Sequence, residues 1–233
     1  LILTIADRYE TIATAIAASY MNIPLAHTQG GELTGSIDES VRHAVTKLSH
    51  VHFPCTEKAR QILIKMGEDP KNIILSGCPS IDLALEAERN YDPSKNLFKI
   101  YGGSGSCLDW EKDFIVVLQH PITTNYSSTL SQIEQTIKAI QSQKNQVVWL
   151  WPNVDAGSDI ISKKLREFQN NTDNKIRFYR NFRPEHYIHL LLKSKLLLGN
   201  SSSGIRECSA LGIPSINIGE RQINRERGAN TIE

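Results

Sequence analysis

The chain has 233 residues, of which 40% are hydrophobic, which is enough apolar material for a folded core and excludes a disordered chain. Its 26 basic and 25 acidic residues give a formal net charge of +1, which provides no general electrostatic footprint for nucleic acid. No run approaches the roughly 20 apolar residues of a membrane-spanning helix. The four cysteines form no CxxC pair. We therefore expect a cytoplasmic protein with reduced thiols, no nucleic-acid partner and no membrane partner.

The first ninety residues alternate short apolar runs with longer amphipathic stretches. Strands are predicted over residues 1–6, 23–28, 51–55 and 72–76, and helices over residues 9–21, 38–48, 57–66 and 80–88. Asp38 and Thr56 are predicted N-caps, and Gly67 a helix stop. The chain begins inside an apolar run typical of an inner strand of a parallel sheet. We therefore expect a fragment of a longer protein, with a truncated N-terminal domain.

The alternation pauses over residues 89–112, which are rich in turn residues, and resumes after them. The glycine cluster at 102–106 is interpreted as a flexible surface loop, because no helical glycine follows at the dinucleotide spacing. Further strands are predicted over residues 114–119, 147–151, 175–179, 195–199 and 214–218, and helices over 128–142, 158–169, 184–193 and 204–211. The predicted fold class is α/β, with two Rossmann-like domains at residues 1–90 and 91–233, each a parallel sheet covered on both faces.

Polar motifs follow several predicted strands, at the edge where open α/β sheets bind ligands. Asp7 and Arg8 follow the first strand; the Asp7 carboxylate could serve as an acid or base, or could cap the next helix. The segment from His27 to Glu32 follows the second, and its glycine pair allows a close backbone approach to a ligand. With Asp38 and Arg42 it forms either a functional cluster or a polar loop with a helix cap.

Two further motifs lie in the second predicted domain. His120 follows the strand at 114–119 and is either a general acid/base or phosphate partner, or a structural histidine. Residues 199–207 run from a strand end through three serines into a predicted helix. Because helix N-termini bind anions, this segment predicts a phosphate site at Ser201 and Ser202, with Glu207 within reach of a ribose hydroxyl. The alternative is a serine-rich helix cap.

Taken together, these segments resemble the UDP-N-acetylglucosamine 2-epimerase family, and more closely its hydrolysing branch, which makes N-acetylmannosamine for sialic acid synthesis. The resemblance spans nearly the whole chain and is carried by Ala6-Asp7-Arg8 and by residues 27–32, 37–38, 42–44, 46–50, 77–80, 118–121, 152–158, 199–207 and 219–226. Two departures stand out. Ala6 replaces the usual glycine, and Gln29 stands where many relatives have glutamate.

The resemblance implies a glycosyltransferase-B type fold and an enzyme that eliminates UDP from a UDP-sugar and then hydrates the product at C1 and C2. It implies no cofactor and no metal, and a homo-oligomer, either a dimer or a tetramer. The implied catalytic residues are Asp7, Glu32, Asp38 and His120. The implied substrate-binding residues are Arg8, Gln29, Arg42, Asn153, Ser201, Ser202, Glu207 and Arg221.

Several alternatives remain open from the sequence. The nearest are a non-hydrolysing UDP-N-acetylglucosamine 2-epimerase and a hydrolysing epimerase of a UDP-2,4-diacetamido sugar. A glycosyltransferase using the same fold, or a non-catalytic nucleotide-sugar-binding module, would belong to other functional classes. Gln29 is the strongest argument for the binding module.

Overall fold

The computed structural model describes residues 1–34, 37–122, 127–154, 156–171 and 175–233. The chain divides into two compact units. The first unit comprises Leu1–Pro79 and Ile223–Arg225, and the second comprises Ser80–Gln222 and Glu226–Glu233. The predicted domain boundary between residues 90 and 91 stays a prediction for the whole protein.

The first unit is a three-stranded parallel sheet with helices between its strands. Its strands, in spatial order, are β1 (Ile2–Ile5), β2 (Leu25–Thr28) and β3 (Val51–Phe53), and its helices are α1 (Tyr9–Tyr20), α2 (Ile37–Leu48) and α3 (Glu57–Lys65). Its core joins Ala15 and Ala18 of α1 to Leu25 of β2 and Val45 of α2. Each strand therefore ends at the same edge, where the polar motifs of this unit follow.

Two of the predicted helix boundaries in this unit are confirmed and one is wrong. The Thr56 hydroxyl caps α3 by accepting the N–H of Ala59 at 3.1 Å. Gly67 follows the end of α3 with φ +92°, a left-handed conformation that glycine adopts at low cost. Asp38 is not an N-cap, because α2 already begins at Ile37 and Asp38 lies in its first turn. An acidic side chain is favourable in a first turn as well as at a cap.

The strand predicted over residues 72–76 is wrong. Pro70–Asn72 forms a 3₁₀ turn, and Ile73 makes one isolated parallel bridge with His52 of β3. Ile74 and Leu75 are about half exposed, at 51% and 49%. An apolar run predicts a strand only where both of its faces are covered, and these side chains are not buried.

The second unit is a seven-stranded sheet with helices on both faces. Its spatial strand order is β10-β9-β8-β5-β6-β7-β4, with β4 Ser104–Gly105, β5 Phe114–Leu118, β6 Gln146–Leu150, β7 Ile176–Tyr179, β8 Leu197–Gly199, β9 Ser215–Asn217 and β10 Thr231–Ile232. Its helices are α4 Pro79–Arg89, α5 Leu97–Ile100, α6 Thr129–Ser142, α7 Ser158–Asn170, α8 Pro184–Lys193 and α9 Glu207–Ala210. All neighbouring strands are parallel except β4, which runs antiparallel to β7.

Alternate side chains of the central strands enter two separate cores. Phe114 and Val116 of β5 pack in one cluster, whereas Ile115 and Val117 pack in the other. Trp149 is fully buried in the second cluster, and its ring stacks on Phe178 with centroids 5.9 Å apart. The two-sided burial of β5 and β6 is what a parallel sheet between two helix layers requires.

Two predictions in this unit need correction. The glycine cluster at 102–106 is not a loose loop, because Ser104–Gly105 pairs with β7 at the edge of the sheet. The helix predicted over residues 204–211 consists of a 3₁₀ turn at Ser202–Gly204 and a separate four-residue helix, α9. The break falls at Arg206, whose ψ of −80° is not helical.

All four cysteines lie in the described part of the chain, and none of them forms a disulfide there. Cys78 and Cys208 are buried, and Cys107 is exposed. None of the helices in the described ranges is both long and apolar enough to cross a membrane.

Candidate active site

The turn after β1 places Asp7 at the functional edge of the first unit. Ala6 leaves the strand with φ +56°, and the chain enters α1 with Arg8 at the N-cap position. No side chain caps α1 there. Asp7 is therefore not a helix cap, and its carboxylate points to another partner, Arg42.

Arg42 brings two predicted site residues together. Its guanidinium lies on the inner face of α2, and its side chain is 1% exposed. Nη2 donates to Oδ2 of Asp7, and Nη1 donates to the carbonyl oxygen of Glu32 at 2.5 Å. A buried guanidinium needs acceptors for its donors, so Arg42 links the turn after β1 to the loop after β2.

A second arginine, Arg225, completes this cluster. Its Nε lies 3.2 Å from Oε2 of Glu32, and its Nη2 lies 3.9 Å from Oδ2 of Asp7. Two carboxylates and two guanidiniums therefore meet in a charge-balanced group within the first unit, which we call the Asp7 cluster. Arg225 was not among the predicted site residues and lies in a charge-rich segment that follows β9. Its sequence signals were that position after a strand and its place in residues 219–226, which carry the family resemblance.

The other predicted residues of this unit have different surroundings. The Arg8 guanidinium lies 3.5 Å from Glu10 and over the ring of Tyr9. Asp38 precedes Arg42 by one helical turn. Gln29 is buried, has φ +61° and donates its backbone N–H to Phe53 at 3.0 Å. Arg8 thus points along its own helix, whereas Gln29 is held inside the loop.

His27 lies beneath the Asp7 cluster and is completely buried. Its Nε2 is 2.8 Å from the carbonyl oxygen of Ala6, and its Nδ1 is 3.2 Å from the hydroxyl of Thr46. Burial lowers the pKa of His27 to about 4, so the imidazole is neutral at pH 7.

In the second unit, His120 follows β5 and is locked to Asn200, which follows β8. The backbone N–H of His120 donates to Oδ1 of Asn200 at 2.7 Å, and Nδ2 of Asn200 donates back to the His120 carbonyl at 2.8 Å. The Nδ1 of His120 accepts the backbone N–H of Asn153 at 3.1 Å. A neutral His120 therefore carries its proton on Nε2. Asn153 meets His120 through its backbone, while its side chain is exposed.

The backbone carbonyl of Asn200 also accepts hydrogen bonds from two side chains that follow β9. Arg221 donates from Nη1 to the Asn200 carbonyl at 3.3 Å, and Gln222 donates from Nε2 to it at 2.9 Å. Asn200 and Gln222 are both buried, and neither was selected from the sequence. Both lie in segments that carry the family resemblance, but an amide side chain just beyond a strand is common to many polar loops and did not single them out.

The serine segment after Asn200 is a tight turn anchored from below. Ser201 accepts the N–H of Ser203 at 3.3 Å and caps the 3₁₀ turn that contains Ser202. The Gly204 carbonyl accepts donors from Ser215 at 2.9 Å and Asn230 at 3.1 Å. Because α9 has only four residues, it does not provide the dipole of a long helix to an anion at its N-terminus. The diphosphate roles of Ser201 and Ser202 stay predictions.

Glu207 opens α9 beside two buried groups. Burial, with a smaller contribution from the Glu207 charge, raises the pKa of the Cys208 thiol to about 12. Burial also raises the pKa of Tyr187, and the Glu207 charge acts in the same direction. The predicted ribose contact of Glu207 stays a prediction. In the described ranges, no group of three or more His, Cys, Asp or Glu side chains is placed to hold a metal ion.

The sequence matches known relatives over its whole length. It is 35% identical over 232 residues to a UDP-N,N'-diacetylbacillosamine 2-epimerase (hydrolyzing) of Legionella pneumophila, covering 100% of this chain and 59% of the relative. It is 37% identical over 235 residues to the polysialic acid biosynthesis protein P7 of Escherichia coli, covering 100% of this chain and 58% of the relative. The chain thus spans less than two thirds of these proteins.

The fold also has solved counterparts. A UDP-GlcNAc 2-epimerase from Neisseria meningitidis, solved with bound UDP-GlcNAc, superposes with a TM-score of 0.76 at 17% identity, over 94% of this chain and 59% of that one. This likeness confirms the expected α/β fold of the glycosyltransferase-B type. The sequence model of the family described as UDP-N-acetylglucosamine 2-epimerase matches residues 1–232. With the strand-edge motifs in place and this match along the chain, the protein belongs to the UDP-N-acetylglucosamine 2-epimerase family.

Proposed function

We propose that the whole protein is a hydrolysing UDP-N-acetylglucosamine 2-epimerase, which converts UDP-N-acetylglucosamine and water to N-acetylmannosamine and UDP. The observation that carries the proposal is the Asp7 cluster, in which Asp7 and Glu32 are held together by Arg42 and Arg225. Membership of the family and a 35% identical relative with a hydrolysing name support it. The product would feed the biosynthesis of sialic acid-type sugars, in line with the name of the E. coli relative.

The first step is an elimination across C1 and C2 of the sugar. A base takes the proton from C2, the C1–O bond to the diphosphate breaks, and UDP leaves with that electron pair. The C2 proton is weakly acidic, so the base has to be held at one position with few alternatives. Asp7 suits this role because the buried Arg42 of α2 donates a hydrogen bond to its carboxylate and so holds it in place.

The second step is a hydration of the resulting C1–C2 double bond. A water oxygen bonds to C1 while a proton is delivered to C2 from the face opposite to the one that lost it. Two carboxyl groups on different sides of the sugar can divide this work, one as base and one as acid. We assign the pair to Asp7, in the turn after β1, and to either Glu32, in the loop after β2, or Asp38, in the first turn of α2.

The nucleotide half of the substrate is assigned to the second unit. His120, with its proton on Nε2, would donate to the departing diphosphate. Ser201 and Ser202 would hydrogen-bond the diphosphate, Arg221 would neutralise part of its charge, and Glu207 would accept from the ribose. Arg8, Gln29, Arg42 and Asn153 remain proposed contacts to the substrate. A cytoplasmic location and a homo-oligomeric state remain predictions.

A second candidate is the hydrolysis and epimerisation of a UDP-2,4-diacetamido sugar. The name of the 35% identical Legionella relative favours it. The chemistry at C1 and C2 would be the same, so the Asp7 cluster fits both candidates. The two substrates differ away from the reacting carbons, at C4 and, for a diacetylbacillosamine, also at C6.

Incubation of the full-length protein with each UDP-sugar in deuterium oxide tests the proposal. We expect free sugar and UDP, detected by NMR, with one deuterium at C2 because that carbon is reprotonated from solvent. Comparison of the two substrates decides between the candidates. An epimerised UDP-sugar would indicate a non-hydrolysing enzyme. Absence of turnover without an acceptor, together with UDP-sugar binding, would favour a glycosyltransferase or a binding module.

A further inference from the structure

The turn that presents Asp7 contains a strained residue. Ala6 has φ +56°, in the left-handed region where a Cβ meets the following carbonyl and where glycine is the usual residue. The backbone N–H of Ala6 donates to the carbonyl oxygen of Thr28 at 3.1 Å. The carbonyl of Ala6 is therefore the backbone group that remains to fix the rest of the turn. Strain of this kind persists only where surrounding contacts hold it in place.

The contact that holds the Ala6 carbonyl comes from His27. A carbonyl oxygen only accepts, so the 2.8 Å contact places the His27 proton on Nε2. The neutral ring then accepts at Nδ1, and the Thr46 hydroxyl donates to it at 3.2 Å. Both ring nitrogens are thus satisfied, by one group of the turn and one group of α2.

The space around this chain of hydrogen bonds is closed. A Cβ placed on Gly30 would lie 3.0 Å from the Thr46 hydroxyl oxygen and 3.2 Å from Nδ1 of His27. Both distances are shorter than ordinary carbon contacts, so Gly30 leaves room for this hydrogen bond. His27, Thr46 and Gly30 therefore act as one support beneath the turn, which we call the His27 support.

We propose that His27 is a positioning residue for Asp7, which holds Ala6 in its left-handed conformation through the Nε2–H bond to the Ala6 carbonyl and so aims the next side chain at Arg42. The inference rests on the proposed function of Asp7 for its kinetic consequence, but not for its geometry. His27 itself is buried and does not meet the substrate. Its contribution lies in keeping the Asp7 carboxylate at one position.

A matched pair of substitutions tests the donor. His27→Gln keeps an N–H donor near the position of Nε2, whereas His27→Met fills similar space without one. In the full-length enzyme we expect His27→Met to lower kcat by about tenfold or more, with a much smaller change in KM. His27→Gln should retain most of kcat. Equal losses in the two variants, in proportion to their melting temperatures, would overturn the proposal.

A second-site substitution separates positioning from general stability. Ala6→Gly relieves the left-handed strain, so it should restore at least several-fold of the lost kcat in His27→Met and change the parent enzyme little. Failure of this rescue in a folded double variant would contradict the proposed role.

A spectroscopic measurement tests the geometry without turnover and applies even if His27→Met does not fold. ¹⁵N-resolved NMR of the unmodified protein should show a neutral His27 ring protonated at Nε2 at pH 7. A ring protonated at Nδ1 would overturn the proposal. If Asp7→Asn keeps full activity while this tautomer is observed, the proposed function of Asp7 fails and the His27 support stands.

Discussion

Arg42 and Asp7 are 35 positions apart in the chain, yet the guanidinium of Arg42 donates directly to the Asp7 carboxylate. The side chain of Arg42 is 1% exposed and that of Asp7 is 17% exposed. Because Arg42 is buried and Asp7 is partly exposed, the accessible face of the Asp7 carboxylate is directed outward. The pair therefore has a structural side and a chemical side, and substitutions should affect both.

Replacing Asp7 with asparagine should cost stability as well as activity. Removal of the charge leaves the buried Arg42 with a weaker acceptor, which we expect to lower the free energy of unfolding by about 2 kcal/mol. Turnover should fall by about a hundredfold or more, since the proposed base is lost. Denaturant unfolding and steady-state kinetics measure the two effects. Glu10→Gln, an exposed carboxylate of the same unit, is the control and should change neither.

His120 should matter more for rate than for folding. His120→Asn retains an oxygen that can accept the backbone N–H of Asn153, while His120→Ala does not. Both variants lose the Nε2 proton donor, so both should lower kcat by roughly a hundredfold. Thermal unfolding should be affected more by alanine than by asparagine. A normal kcat in folded His120→Asn would assign the residue to structure alone.

The two serines after Asn200 should separate into a structural and a ligand-binding residue. Ser201 caps the 3₁₀ turn, so Ser201→Ala should lower the melting temperature. Ser202→Ala should leave folding unchanged and weaken UDP binding by about tenfold, the effect of one hydrogen bond to a charged oxygen. Calorimetry with UDP on the two folded variants measures this. Unchanged affinity in both would place the nucleotide elsewhere.

His27 should make the protein less stable in mild acid. Its pKa is lowered from 6.5 to about 4 by burial, so between these values the unfolded chain binds more protons than the folded one. Stability therefore rises with pH through this window, by roughly 3 kcal/mol from this residue, and is fully present above pH 6.5. His27→Gln should flatten the slope in urea unfolding between pH 4 and 6.5. His43 and His52, whose pKa values are also lowered by burial, should keep a residual slope of the same sign.

Gly31 and Gly67 form a matched pair for backbone strain. Both have positive φ, at +81° and +92°, but a Cβ on Gly31 would lie 2.3 Å from the carbonyl oxygen of Ala59, whereas Gly67 has open space. Gly67→Ala should cost about 1 kcal/mol, and Gly31→Ala should cost several times more because the backbone must also move. Urea unfolding of the two variants compares them directly. Similar losses would mean that the loop after β2 adapts.

The alternation of strands and helices could be predicted from the sequence because its causes are local. Periodicity places α2 within one residue of the structure, and Pro184–Lys193 is a helix as predicted. The failures have non-local causes. Residues 72–76 are apolar but have one bridge to β3, and residues 204–211 are interrupted at Arg206.

The candidate site was predictable where a polar residue directly follows a strand. Asp7, Glu32 and His120 were found in this way, and Arg42 through its spacing from Asp38. Arg225 and Asn200 were not found, because a local pattern cannot reveal distant partners. Arg225 meets Asp7 and Glu32, which lie 218 and 193 positions away in the chain. Asn200 meets His120, which lies 80 positions away. His27 was noted only within its motif, since its role depends on the conformation of Ala6.

The short antiparallel strand β4 affects how readily the protein aggregates at high concentration. An exposed parallel edge of β7 would offer unpaired backbone groups to another chain, and edges of this kind seed aggregates. Ser104–Gly105 covers part of that edge, and side chains are excluded at Gly103 and Gly105, where a Cβ would lie 2.9 Å and 2.6 Å from carbonyl oxygens of β7. Because β4 has only two residues, its own outer edge offers few backbone groups with which another chain could pair. Residues 102–106 resemble a dispensable linker in the sequence, but variants in which they are shortened would then be the hardest to express.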